Sequence, residues 1–200
     1  MLHTRPMAGN VSSGGKQGLR KELEARRRAL SPQQVQNKSG EVLGHFAALT
    51  FFQSAKVVAL YLAQPFEVQT EGLIALAGAR AVFPRVVGKG QSLALHRAPT
   101  AGDLVPGTLG LLEPKASTPT VSAADVDVWI LPGVGFTPSG ARLGRGAGYY
   151  DRTLAAARRD AVKVGLCFAC CLVDELPCEP HDVAVDWVVS EERALRCQKA

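Results

Sequence analysis

Short β-branched apolar runs alternate with stretches of helical period along this chain, and that alternation limits the folds open to it more than any other feature. Residues 56–62 (KVVALYL), 126–131 (VDVWIL) and 162–168 (VKVGLCF) are too short for buried helices and rich in valine, so they predict buried strands. Residues 81–84, 92–96 and 185–189 read as further strands. Between them, residues 16–30 place Leu19, Leu23 and Leu30 at helical spacing. A second helix is predicted over 31–49, with Val35, Val42, Leu43 and Phe46 inward. Its start is marked by Ser31 as N-cap, Pro32 in the first turn and Gln34 completing a capping box. Thr70 is expected to cap a short helix to residue 79, and residues 149–159 predict another. Strands alternating with helices imply one three-layer α/β/α domain around a mostly parallel sheet. Residues 99–122, rich in Pro, Gly and Thr, are expected to form a surface loop.

The 200 residues suit one domain, with residues 1–15 expected as a disordered Gly/Ser-rich leader and 16–200 as the folded unit. Apolar stretches reach about ten residues, whereas a membrane span needs roughly 20. The N-terminus has no apolar core of a secretory signal. Both point to a cytoplasmic protein that does not engage a membrane. The formal net charge of +5 favours anionic partners such as phosphates. Aromatics are only 6% and are not interleaved with the basic stretches, which argues against a base-stacking nucleic-acid surface. Five cysteines without a signal peptide are expected as reduced thiols.

The stretch from Pro132 to Asp151 follows a predicted buried strand and opens a predicted helix, the place where α/β proteins hold ligands. Gly144, Gly146 and Gly148 alternate, so the backbone there can take positive φ and turn its N–H groups toward an anion. Arg142 and Arg145 add bidentate donors, and the helix start adds partial positive charge. The run is neither of the two common phosphate motifs. No Gly-Lys-Ser/Thr closes it, and it lies too late in the chain for a dinucleotide fingerprint. A plain flexible turn would have the same composition.

Arg142-Leu143-Gly144-x-Gly146-x-Gly148-Tyr149-Tyr150-Asp151-Arg152 resembles the signature of the 5-formyltetrahydrofolate cyclo-ligases. Further segments agree in order: Lys16-x-x-x-Arg20; Tyr61-Leu62 with Glu67-Val68-x-Thr70; Phe83-Pro84-Arg85-Val86; Gly110 to Pro114; and Leu176-Pro177-x-Glu179-x-His181-Asp182-Val183. Together they span roughly residues 16–191. Two positions depart from the pattern. Ala147 stands where relatives often carry Gly or Lys, and Cys171 where Gln is common.

The resemblance implies a fold similar to sugar-phosphate isomerases and CoA transferases. It also implies an ATP-dependent ring closure on 5-formyltetrahydrofolate, with Mg²⁺ as cofactor and ATP as co-substrate. By resemblance Lys16, Arg20, Arg142, Gly144, Arg145, Gly146, Ala147, Gly148 and Tyr150 meet ATP. Leu62, Glu67, Gly148 and Tyr149 meet the folate, with or without a polyglutamate tail. Arg145 and Tyr149 serve the reaction itself, and Asp151 and Asp182 hold Mg²⁺. The protein is expected to act as a monomer.

Three rival readings are open to test. Cys167-x-x-Cys170 and Cys178-x-x-His181 have metal-ligand spacing, but residues three apart on the predicted strand at Cys167 point to opposite faces. The basic stretch from Lys16 to Arg28 could bind nucleic acid, but Glu22 and Glu24 interrupt it. A different enzyme on a similar sheet would lack ATP dependence.

Overall fold

The computed structural model describes residues 15–107 and 110–198. The expected leader thus lies, save Gly15, outside the described residues. Helix α1 (Gly15–Arg28) buries Leu19, Leu23 and Arg27, an i,i+4 stripe on one face. Helix α2 (Pro32–Ala47) starts as the sequence predicts. Gln34 N–H donates to Ser31 Oγ and Ser31 N–H donates back to Gln34 Oε1. It ends before Leu49, and a short helix α3 (Thr50–Ser54) follows, with Phe52 packed on Phe46 at 4.6 Å between ring centroids.

Strand β1 (Val58–Ala59) leads to α4 (Glu71–Ala77). Thr70 precedes α4 but does not cap it through its side chain; its hydroxyl donates instead to the Tyr61 carbonyl at 2.7 Å. Next come β2 (Ala81–Arg85) and β3 (Ala94–Arg97). The stretch expected as a plain loop contains a hairpin, β4 (Leu104–Pro106) with β5 (Leu112–Pro114), and an edge strand β6 (Thr120–Val121). Proline and glycine there mark strand ends rather than an absence of strands. Strand β7 (Val128–Leu131) is followed by a two-stranded excursion, β8 (Gly135–Phe136) with β9 (Arg142–Leu143). Helix α5 (Tyr149–Leu154) is half its predicted length. Strands β10 (Val162–Leu166), β11 (Trp187–Val189) and β12 (Ala194–Arg196) complete the chain.

Eight strands form one sheet in the order β12-β11-β10-β7-β1-β2-β3-β6. The five central strands are parallel, and β12, β3 and β6 are antiparallel edges. Side chains alternate between faces as the pleat requires. Val58, Leu60, Val128, Ile130, Val164 and Leu166 pack with Val42, Phe46, Phe52 and Leu73 of the first helices. Ala59, Trp129 and Leu131 pack on the other face with Phe136 and Leu154. Leu19 and Leu23 of α1 join Val134 and Leu143 in a separate cluster over the β8–β9 excursion. Gly135 makes that contact possible, because a Cβ there would sit 2.5 Å from Leu23 Cδ1.

From β1 the chain moves outward to β2, while β7 on the other side of β1 continues to β10 and β11. The winding reverses between β1 and β7, so a crevice opens beyond their carboxyl ends. Among the described residues, no helix is long and apolar enough to cross a membrane.

Candidate active site

Two loops meet at that crevice. The loop after β1 makes a tight turn in which Phe66 takes a left-handed φ of 65°. Glu67 N–H donates to the Gln64 carbonyl, and Gln64 N–H donates to Glu67 Oε2 at 2.9 Å. The carboxylate is thereby held inward, its side chain only 6% exposed. Arg145 Nη2 donates to Glu67 Oε1 at 2.7 Å from the glycine loop, and Arg27 Nη1 stands 3.6 Å from the same oxygen on the core side. The two cations differ in exposure: the Arg145 side chain is 45% exposed and that of Arg27 only 8%.

In the second loop, Gly146 and Gly148 take φ of 96° and 64°, a conformation that costs other L residues about 1–2 kcal/mol. Arg20 Nε donates to the Gly144 carbonyl at 2.8 Å, and Arg152 Nη2 donates to that of Ala147 at 2.9 Å. Both bonds tie down carbonyl groups of the run. Helix α5 begins directly after Gly148 but has only six residues, so its dipole adds less than a full helix would. Phosphate charge here would meet arginines and loop N–H groups.

Arg142 is 5% exposed and pairs through Nη2 with Asp151 Oδ1, while Nη1 donates to the Pro132 carbonyl. Its geometry makes it a clamp on Asp151 at the cavity wall. Val183 N–H also donates to Asp151, at 3.3 Å, which draws the C-terminal segment of Asp182 alongside. Asp182 accepts from Lys16 Nζ at 2.7 Å and from Glu179 N–H at 2.8 Å. Desolvation pushes the Asp182 carboxyl up, but the Lys16 hydrogen bond and the Glu179 N–H outweigh it and hold it below its usual range. Desolvation pulls Lys16 down, and its bonds to Asp182 and Glu179 reverse that and raise it.

These elements enclose a cavity of about 680 Å³, within the range of small-molecule sites. Lys16, Arg20, Leu62, Glu67, Arg142, Asp151 and the run from Gly144 to Tyr150 all border it. Asp182 does not border the cavity, although its partner Lys16 does. Tyr149 carries the Arg152 guanidinium over its ring at 5.2 Å. Tyr150 is partly buried, and desolvation pushes its phenol well up, so it stays neutral. The opposite wall is apolar, made by Phe83 and Pro84 of β2 and by Leu111 and Leu112 at the β4–β5 hairpin.

Sequence reasoning missed two contributors. Arg27 falls on the same i,i+4 stripe as Leu19 and Leu23, and a charge on an apolar stripe was the signal that it is buried toward a partner. The hairpin at Leu112 was hidden inside an expected loop. The metal spacing of the cysteines has no counterpart: among the described residues no three His, Cys, Asp or Glu side chains could hold a metal together.

A match to the 5-formyltetrahydrofolate cyclo-ligase family covers residues 12–191. The chain belongs to that family. It is therefore a ligase of folate one-carbon metabolism. A Mycolicibacterium smegmatis 5-formyltetrahydrofolate cyclo-ligase is 33% identical, over 92% of this chain and 98% of that one. The mouse cyclo-ligase is 30% identical, over 93% and 98%. Among solved structures, the Aquifex aeolicus 5,10-methenyltetrahydrofolate synthetase superposes with a TM-score of 0.82 at 32% identity, covering 92% of this chain and 94% of that one. The Mycoplasma pneumoniae synthetase gives 0.71 at 26%, covering 88% and 98%. The family match thus spans every strand of the main sheet except the edge strand β12, and both loops.

Proposed function

We propose that this cavity binds 5-formyltetrahydrofolate and ATP side by side and closes the 5,10-methenyl ring, releasing ADP and phosphate. The observation that carries the reading is the Arg145–Glu67 bridge. It joins an acid suited to pterin N–H donors to a cation suited to phosphate, across one cavity. Glu67 would accept hydrogen bonds from the pterin, with Leu62, Tyr149 and the apolar wall of Phe83 and Leu111 against the rings. Gly144, Gly146 and Gly148 would cradle the phosphates, with Lys16, Arg20 and Arg145 supplying charge.

The formyl oxygen attacks the γ-phosphorus, and the bond to the ADP oxygen breaks. N10 then attacks the activated formyl carbon and gives up its proton, the carbon–oxygen bond breaks, and phosphate leaves carrying that proton. Phosphoryl transfer needs positioning and charge neutralisation more than a protein nucleophile. Arg145 is placed to serve both halves. Without substrates it rests on Glu67; once pterin donors occupy Glu67, its half-exposed guanidinium is free for the γ-phosphate.

Asp151 and Asp182 offer hard oxygens but no cage of three ligands among the described residues. That donor set fits Mg²⁺ arriving with the nucleotide, which needs only one or two protein carboxylates. Bound there, Mg²⁺ would neutralise phosphate charge. The reading extends to a cytoplasmic monomer that takes folates with or without polyglutamate tails, the tailed forms favoured by the net positive charge.

Substrate carrying oxygen-18 in the formyl group tests the route. The label should appear in the released phosphate. Label retained in the folate or lost to water would exclude phosphorylation of that oxygen.

A further inference from the structure

Behind α1, away from the cavity, the chain carries a thiol pair that ring closure does not use. Cys170 and Cys171 are neighbours in the 3₁₀ turn Ala169–Cys171, with sulfur atoms 3.9 Å apart. Cys171 is buried and Cys170 half-buried. The Lys38 ammonium lies near Cys170 and is anchored on Glu191, whose other oxygen accepts from Ala169 N–H at 2.7 Å. The hydrogen bond with Cys171 lowers the Cys170 thiol, with Lys38 assisting against burial and Glu191. Cys170 therefore gives up its proton more readily than a free thiol, and the thiolate is the reactive form. The same interaction, with burial, pushes Cys171 up.

The turn also holds α1 in place. Arg26 Nη1 donates to the Cys170 carbonyl at 3.3 Å, and the Cys171 sulfur packs 3.8 Å from the Leu23 carbonyl. Lys16, Arg20 and Arg27 reach the site from that helix.

We propose that Cys170–Cys171 is an oxidation site at which a hydroperoxide closes a vicinal disulfide, and that closure loosens α1 and switches the site off reversibly. The Cys170 thiolate attacks a peroxide oxygen; the O–O bond breaks, leaving a sulfenic acid and hydroxide, which takes up a proton. The Cys171 sulfur then attacks the Cys170 sulfur, the S–O bond breaks, and water leaves with the Cys171 proton. Two thiols and one hydrogen peroxide become one disulfide and two waters. Adjacent Cα atoms lie about 3.8 Å apart, shorter than the roughly 4.4–6.8 Å of relaxed disulfides. The sulfurs must also approach to about 2.05 Å. A tight turn does not tolerate both, so it must open and release Arg26 and Leu23. Strained disulfides are easily reduced, which makes the change reversible.

The test treats the reduced full-length protein with hydrogen peroxide, alkylates it under denaturing conditions and weighs the peptide containing residues 170 and 171. The expected peptide has lost two hydrogens and carries no alkyl group. Native oxidised protein should no longer capture phenylarsine oxide, which needs two neighbouring thiols. Hydrogen exchange across residues 15–28 should quicken. Ligase activity, the one readout that rests on the proposed function, should fall about tenfold or more, as misplacing site groups does, and return with dithiothreitol. Cys170→Ala and Cys171→Ser should each keep basal activity and resist peroxide. Two alkylated cysteines after peroxide, equal inactivation of Cys170→Ala, or a disulfide without faster exchange in α1 would overturn the proposal. Absence of ring-closing activity before oxidation would count against the function instead, leaving the mass and exchange readouts to decide the thiol site.

Discussion

Replacing Glu67 by glutamine removes one negative charge from between two arginines while keeping the shape of the turn. Arg27 then remains 8% exposed with the Gly133 carbonyl at 3.4 Å as its hydrogen-bond partner. Breaking a buried ion pair from one side costs about 3–5 kcal/mol. The 3.6 Å separation of Arg27 from Glu67 is longer than a hydrogen bond, so the low end, about 3 kcal/mol, applies. For a chain of this size that is a fall in Tm of roughly 6–12 °C. Adding Arg27→Met removes the stranded charge and keeps an unbranched apolar stem, so the double variant should regain most of the loss. Thermal melts of the four proteins in the cycle measure this. In steady-state assays the folate KM should rise about tenfold to a hundredfold, the worth of one hydrogen bond to a charged group. A fall of less than about 2 °C, or a double variant no more stable than Glu67→Gln, would refute the buried-pair reasoning. A rise confined to the ATP KM would refute the division of the cavity.

Asp151→Asn should lower Mg²⁺-dependent turnover about a hundredfold with the circular dichroism unchanged, since it weakens both the metal position and the clamp on Arg142; near-wild-type rates would remove Asp151 from the site. Gly148→Ala forces a side chain into φ 64°, with its Cβ 2.7 Å from Arg152 Nη1, and should cost about tenfold in kcat/KM for ATP, more than Gly144→Ala, where φ is not positive. Ala147→Lys adds a cation at the cavity edge and should lower the ATP KM roughly twofold to fivefold, as one exposed charge pair allows. The Lys16–Asp182 pair gives a pH signature. Asp182 is depressed, so its stabilisation is present above the unfolded carboxyl value of about 3.9 and is lost as pH falls through the lower folded value. Lys16 is raised, so its share is present below its ordinary 10.5 and is lost as pH rises through the higher folded value. The Tm gap between wild type and Lys16→Met should be flat between these limits and close at both ends.

The sheet was legible because its central strands are buried on both faces and write themselves as continuous apolar runs, as at residues 128–131. The capping box at Ser31 was legible because it is local. Helix ends were less so: α5 stops at Leu154, where alanines that favour a helix are overruled by the turns leading to β10. The β4–β5 hairpin was hidden because three-residue edge strands carry too few side chains for a period. In the site, the glycine run could be read as a cradle from composition, whereas the acid at Glu67, the cations at Lys16 and Arg20, and Asp182 came only through resemblance. Their partners lie 78 to 166 positions away in the chain, and spacing carries no trace of such contacts. Arg142 pairs with Asp151 rather than facing solvent, which residue type alone does not foretell.

Absorbance at the methenyl-folate band, followed with purified protein, 5-formyltetrahydrofolate and Mg²⁺ with and without ATP, tests the central claim most directly. The account predicts a rise that requires ATP and matches the ADP released. Folded protein giving no rise, or an equal rise without ATP, would contradict it.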